Sequence, residues 1–321
     1  MVEKSTLSMQ TPIQPKRKLD FASVKRGFYK SRYLYLIFSP VIIYYVLFNY
    51  APMYGLLMAF KSFNPLLGIW DSPWVGLTYI KDFMKSIFFW RLIGNTITIN
   101  LYDLIVGFPA PIILALMMNE IRRNTFKRFV QTLVYLPHFI SVVVIAGIIT
   151  MFLSPSSGIV NTIIVALGGE PVHFLAEAGW FQTVYVWSGV WQSAGWGSII
   201  YLAALAGIDQ ELYEAATVDG ATNWQKLWKI TIPGILPTII IMLILRVGSL
   251  FSVGFEKVML LYNPSTYITA DVISTYVYRR GIIGADYGYA TAIGLFNSII
   301  NFIMIVAFNK FSRSVSETSL W

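Results

Sequence analysis

Six runs of about 20 predominantly apolar residues punctuate this chain, and that is the length a helix needs to cross the hydrocarbon of a bilayer. They extend approximately from Tyr33 to Leu57, Asn95 to Met118, Val130 to Leu153, Thr183 to Ala206, Pro237 to Leu261 and Ala290 to Phe308. In hydrocarbon every backbone N–H and C=O must find a partner inside the protein, so spanning segments are helices or closed barrels. Barrel strands alternate apolar and polar residues over short segments, and no such alternation occurs here. The expected fold class is all-α: an integral membrane protein with six transmembrane helices. Composition agrees, because 56% hydrophobic and 12% charged residues leave too little polar surface to cover a water-soluble core.

The formal charge of +8 raises nucleic acid as a partner, and the placement of the charges argues against it. Lys4, Lys16, Arg17, Lys18, Lys25, Arg26, Lys30 and Arg32 precede the first run, and Arg122, Arg123, Lys127 and Arg128 fill the short second connection. The connection from Ser154 to Gln182 has no Lys or Arg. Basic connections face the cytoplasm, so both termini are expected there, with Arg279 and Arg280 an exception in an external connection. The first 30 residues lack the apolar stretch of a cleaved signal. Phe21, Val24, Phe28 and Tyr29 among Lys25, Arg26 and Lys30 suit either a surface-lying amphipathic helix or a disordered basic tail. With no cysteine, neither a disulfide framework nor a thiolate metal site is available. The organisation expected is a basic cytoplasmic segment (1–32), a first span with its external loop (33–90), a core (91–310) and a cytoplasmic tail (311–321).

The connections differ in character. The first, from Met58 to Arg91, is aromatic and carries Pro65, Gly68, Pro73 and Gly76, a pattern of ordered turns. The third is expected to hold a short helix from Ile159 to Leu167. The fourth, 207–233, is too patterned for a plain turn. Asp209 suits an N-cap with Glu211 in the first turn, and Gly220 suits the left-handed residue that ends a helix. Thr222 followed by Gln225 reads as a capping box opening a second helix that stops before Pro233. On it Trp224, Leu227 and Trp228 form one apolar ridge between Gln225, Lys226 and Lys229. That ridge either lies on the membrane surface or fills a groove in a partner.

The residues Glu214-Ala215-Ala216, Asp219-Gly220-Ala221 and Ile230-Thr231-Ile232-Pro233 resemble the loop signature of permease subunits in binding-protein-dependent ATP-binding-cassette (ABC) importers. The resemblance runs from about Arg91 to Lys310 and implies the type I importer permease fold. It also implies that 207–233 is a coupling loop docked in a cleft of a separate ATPase. Glu214 would then pair with a basic residue of the ATPase, Ala215 and Ala216 would permit close approach, and Gly220 would make the turn; Leu227 stands where the family usually has Phe. Implied partners are a second homologous permease forming a heterodimer, two copies of the ATP-binding subunit, and an external solute-binding protein. Further on, Val253-Gly-Phe-Glu-Lys-Val-Met-Leu-Leu-Tyr-Asn-Pro264 and Asp271-Val-Ile-Ser-Thr-Tyr-Val-Tyr278 resemble importers of polysaccharide fragments in the carbohydrate-uptake group, among them aldouronate and alginate-oligosaccharide permeases. The solute implied is an oligosaccharide, in some relatives an acidic one.

Candidate solute contacts follow from depth and chemistry. Arg246 lies midway along the fifth run, where an ionisable group is costly unless it faces a cavity or a partner. It either lines the path, with Ser249 beside it, or braces the helices against a backbone carbonyl or an acid, Asp103 in the second run being one candidate. Trp187, Trp191 and Gln192 suit sugar stacking and hydroxyl recognition, while an interfacial aromatic belt explains the indoles equally. Glu256, expected near the outer end of the fifth run, is placed to meet Arg279 or Arg280, to close an external gate, or simply to be solvated. His138 and His173 lack a second metal ligand at suitable spacing and read as structural. Gly195, Gly197 and Ser198 are expected to permit close helix contact.

The sequence contains no Gly-x-x-x-x-Gly-Lys-Ser/Thr phosphate loop, so this chain is expected to bind no cofactor and to leave ATP and Mg to the partner ATPase. An ion-gradient-driven secondary transporter, for which clustered intramembrane acids are expected, and an ABC importer for a non-sugar solute are the alternatives. A membrane enzyme would need His, Asp or Glu converging at one depth, and none do.

Overall fold

The chain was analysed as a computed structural model that describes residues 31–315; the Phe21–Tyr29 stretch lies outside them, as does the end of the C-terminal tail. Among the described residues regular structure is helical throughout, with only isolated bridges at Lys61–Trp74 and Asn64–Gly68. Two compact units divide at Gly55 and Leu56. In the first, α1 (Arg32–Tyr45) continues through a π-turn, Val46–Tyr50, to Ala51–Met53, and none of these residues is buried. A helix apolar on every side suits lipid or a partner helix.

The second unit contains the remaining helices. Phe89–Val106 (α2) is interrupted at Gly107 and resumes as Pro109–Asn119 (α3). Proline removes a donor and crowds the carbonyl four residues back; the amides of Gly107 and Phe108 both turn to the Asp103 carbonyl, at 2.7 and 3.1 Å. The third apolar run is not one straight helix. Asn124–Tyr135 (α4) and the 3-10 turn Leu136–Phe139 meet Val142–Phe152 (α5) at a bend of 101°. Pro137 tightens the chain, Ile140 is extended, and the Ser141 hydroxyl caps α5 by accepting from the Val144 amide. Ile159–Ala166 forms the short helix expected in the following connection.

Ala178–Ala206 (α6) begins earlier than the expected Thr183, and its 29 residues reach roughly 44 Å at 1.5 Å per residue. Among the described residues Arg32–Phe60, Phe89–Asn119, Asn223–Gly248 and Tyr287–Lys310 qualify as spans by length and apolarity, and the bent α4–α5 pair passes the same test only when its two helices are taken together, as a broken span or a re-entrant loop. Gln182, Gln192 and several Ser and Gly residues dilute the hydropathy of α6, which is long enough but less apolar.

Gln210–Val218 (α7) and Asn223–Lys226 (α8) form the helix-turn-helix read from the caps. Contrary to expectation, the second helix does not stop before Pro233. A π-turn, Leu227–Thr231, leads directly into Ile232–Gly248 (α9). The wider turn relieves the carbonyl that proline would crowd, so the helix continues. The fifth run also ends earlier than Leu261: α9 stops at Gly248, and Phe255–Leu261 (α10) is a separate short helix. Ile273–Tyr278 (α11) and a π-turn, Arg279–Ile283, precede Tyr287–Val315 (α12).

Among the described residues three apolar clusters hold this unit together. Ile99, Ile145, Phe181, Val258 and Leu261 join α2, α5, α6 and α10; Phe83, Leu92, Ile273, Tyr276 and Ile293 join the short helix Thr78–Lys85 to α2, α11 and α12; Ala115, Tyr201, Leu205 and Ile235 join α3, α6 and α9. Outside them, side chains such as Met117 and Phe302 remain more than 60% exposed on apolar helices. Water would not tolerate that surface, whereas lipid and partner helices do.

Candidate functional site

The 207–233 loop is built by its own caps. The Asp209 carboxylate accepts from the Glu211 amide at 3.0 Å, and Thr222 and Gln225 cap each other reciprocally. Gly220 has φ +76°, the left-handed region in which glycine carries no Cβ penalty. Two side-chain bonds make α7 and α8 one body: Lys226 Nζ donates to Thr217 Oγ1 at 2.8 Å, and Tyr213 OH meets Thr231 Oγ1 at 2.9 Å. Thr231 is buried in the π-turn, so this bond ties α7 to the start of α9. Glu214, Ala215, Asp219 and Gly220 are exposed, while Ala216, Ala221 and Leu227 are half-buried. Trp224 and Trp228 meet edge to face with centroids 5.8 Å apart and stay 66% and 55% exposed. An outward pair of indoles is the ridge expected from their spacing.

A second constellation sits where two apolar helices are interrupted. Asp103 precedes the break at Gly107, and Arg246 precedes the end of α9 at Gly248. Their side chains form an ion pair, Arg246 Nη2 to Asp103 Oδ2, with side-chain exposures of 47% and 16%. Both line a cavity of about 320 Å³ with Ser193, Gly197, Tyr201 and Ser249 among its walls. The hydroxyls of Ser193 and Ser249 donate to Gly189 and Arg246 carbonyls on their own helices, at 2.7 and 2.9 Å, and keep lone pairs for a ligand. Arg246 thus braces Asp103 and also borders a cavity. Ser193 and Tyr201 were not anticipated; their α6 periodicity would have placed them on one face only once Arg246 was known to lie opposite.

Other expected residues are arranged differently. Trp187 and Trp191 border a groove of about 670 Å³ walled by Ile148, Ile149, Phe152 and Val184, which offers few hydroxyl partners. Gln192 donates from Nε2 to the Ile140 carbonyl at 3.2 Å and so satisfies the bend between α4 and α5. The indole of Trp187 donates to Tyr102 OH at 3.1 Å. Glu256 is exposed and meets neither arginine: Arg279 pairs with Asp271, and Arg280 with Asp286 at 3.2 Å. His138 stacks on Trp196 at 4.7 Å, a packing role, and the described residues contain no group of side chains suited to hold a metal. Gly195 lies against the Val134 backbone and Gly197 is close to Pro111, so these small residues do permit close approach.

A third group lies in the segment between α9 and α12. Asp271 is fully buried and receives Arg279 through two hydrogen bonds of 2.8 and 2.6 Å, Thr275 Oγ1 at 2.8 Å and Arg91 at 3.4 Å. Burial disfavours the Arg279 charge, and the hydrogen bonds it donates to Asp271 and Tyr262, with the attraction of the Asp271 carboxylate, outweigh that cost, so this guanidinium is held above its ordinary pKa. Asn95 donates to the carbonyls of Ile268 and Asp271 at 3.0 and 2.9 Å. Lys257 is also buried, its Nζ on the Tyr185 carbonyl at 2.8 Å and over the Tyr185 ring. A lysine and an asparagine within apolar sequence were the signals for both locks.

Residues 107–317 match the family described as "Binding-protein-dependent transport system inner membrane component". Among curated relatives, protein LplB of Bacillus subtilis is 44% identical over 292 residues, 91% of this chain and 92% of that protein. The polygalacturonan/rhamnogalacturonan transport system permease protein YteP of the same organism is 40% identical over 293 residues, 91% of each chain. Among solved structures, a chain of a bacterial ABC transporter involved in the import of the acidic polysaccharide alginate aligns with TM-score 0.86 at 44% identity, covering 92% of this chain and 99% of that one. A second structure of a bacterial alginate ABC transporter, in complex with an alginate pentasaccharide-bound periplasmic protein, gives TM-score 0.85 at 44% identity, with the same coverage. These likenesses extend through the capped loop and the interrupted helices, and the chain belongs to the family of inner-membrane permease components of binding-protein-dependent ABC importers.

Proposed function

We propose that the chain forms, with a second homologous permease, the translocation path for an acidic oligosaccharide delivered by an external binding protein. As a permease subunit it carries no ATPase chemistry; two copies of a separate subunit would bind ATP and Mg. The observation that carries the acidic reading is the guanidinium of Arg246 in a cavity at two helix interruptions. A charged group among apolar helices needs a task that a neutral one cannot do, and a planar guanidinium matches a carboxylate through paired donors. Relatives that handle alginate and polygalacturonan, both rich in carboxylates, point the same way.

In this reading the path has six spans, with α4–α5 and α6 counted with the four long apolar helices, and both termini are cytoplasmic. Glu214, Ala215, Ala216, Asp219, Gly220, Ala221, Trp224, Leu227 and Trp228 form the face that docks on the ATPase. Because α8 leads through the π-turn into α9, displacement of the docked loop moves the helix that carries Arg246. ATP-driven closure would thereby reorient the cavity between the two sides of the membrane.

Arg246→Gln is the test. Uptake of an acidic oligosaccharide should fall by about tenfold or more, as expected for loss of a charge-assisted pair, while uptake of a neutral one of equal length and assembly with the partner subunits persist. Equal transport of both sugars by variant and wild type would remove Arg246 from the path.

A further inference from the structure

Resting on the path reading of Arg246, we infer that Asp103 is a built-in competitor for the solute: it neutralises Arg246 while the cavity is empty and yields it to a carboxylate of the arriving sugar. An unpaired guanidinium among apolar helices is strongly disfavoured, so an empty path that reads anions needs an internal counter-ion. The placement of Asp103 fits this. It pairs with Arg246 across α2 and α9 and lies in the wall of the same cavity. It is also the more enclosed partner, at 16% exposure against 47%, so the accessible part of the pair is the cation.

Gly107 completes the device. A Cβ there would collide with Asp103 Oδ1 and with the Asp103 carbonyl, so the glycine makes the space in which the carboxylate rests. The helix interruption at Gly107–Phe108 lets the carboxylate approach its own broken turn, whose amides are already committed to the Asp103 carbonyl. Ser193 and Ser249, in the wall of the same cavity, offer acceptor lone pairs to sugar hydroxyls.

A competitor and a brace predict opposite signs. In Asp103→Asn, affinity of the detergent-solubilised complex for alginate pentasaccharide should rise by about tenfold, the factor commanded by one charge-assisted interaction. Affinity for the same pentasaccharide with its carboxyls reduced to alcohols should stay unchanged. Unchanged or weakened binding of the acidic sugar by an assembled Asp103→Asn complex would overturn the inference. If that variant fails to assemble, Asp103→Ser, which also keeps Arg246 and removes the competing charge, decides by the same two measurements. Tighter acidic-sugar binding with unchanged binding of the reduced sugar supports the competitor, and unchanged or weaker acidic-sugar binding overturns it. A selective loss of the acidic sugar in Arg246→Gln, without tightening in Asp103→Asn, would sink this inference alone; an Arg246→Gln complex that handles both sugars as wild type does would sink the path reading beneath it.

Discussion

At the scale of single residues, charge placement in this permease follows one rule: a charge leaves water only with its partners in hand. Arg246 and Asp103 obey it at the cavity, and Asp271 with Arg279 and Arg91 obeys it in the segment before α12. The first pair was legible in sequence, because each member is an ionisable residue inside an apolar run. The second was not, because Asp271 reaches Arg91 across 180 positions and nothing local announces such a contact. Asp271→Asn should destabilise the solubilised complex by about 2–3 kcal/mol, since it leaves half-buried guanidinium donors facing a neutral amide. Replacing both Asp271 and Arg279 with apolar residues of similar volume should recover much of that loss. Thermal unfolding of the assembled complex measures both, and an Asp271→Asn complex within 1 kcal/mol of wild type would contradict the pairing described.

At the scale of elements, the local chemistry of caps was readable and the interruptions were not. Asp209, Thr222 with Gln225, and Gly220 each act as their side chains dictate, because capping depends on neighbours a few residues away. The bend of 101° between α4 and α5, the end of α9 at Gly248 and the π-turn before Pro233 depend on what the chain packs against, and hydropathy alone reads through them. Pro137, Ser141 and the Gly248-Ser249 pair were local hints. The loop gives a direct test of element-level function. Gly220→Pro cannot adopt φ +76° and loses the amide that donates to Thr217 O, so the turn must reopen. Glu214→Lys changes only an exposed charge. Both should insert and express normally while abolishing solute-stimulated ATP hydrolysis and uptake; retention of both activities in either variant would refute docking through α7.

At the scale of the whole molecule, the open quantity is the number of crossings, and the physics isolates it to two elements. Among the described residues four helices are long and apolar enough on their own, the α4–α5 pair bends sharply, and α6 is long but diluted by Gln, Ser and Gly. Such dilution is expected of a helix that faces a path as well as lipid, because its polar residues are shielded from hydrocarbon by neighbouring helices. The absence of cysteine makes the topology directly measurable, since any thiol introduced is the only one. Arg122, Glu170 and Glu211 are exposed and bracket the two elements in question, the first pair flanking α4–α5 and the second flanking α6. With six spans and cytoplasmic termini, Glu170→Cys should react with a membrane-impermeant maleimide in right-side-out vesicles. Arg122→Cys and Glu211→Cys should react only after permeabilisation. If residues 170 and 211 label from the same side, α6 does not cross, the cavity beside Ser193 and Arg246 is not on a transmembrane path, and the solute must travel elsewhere. If 122 and 170 share a side instead, the bent pair is re-entrant and Gln192, which ties α6 to that bend through Ile140, holds a hairpin within the membrane.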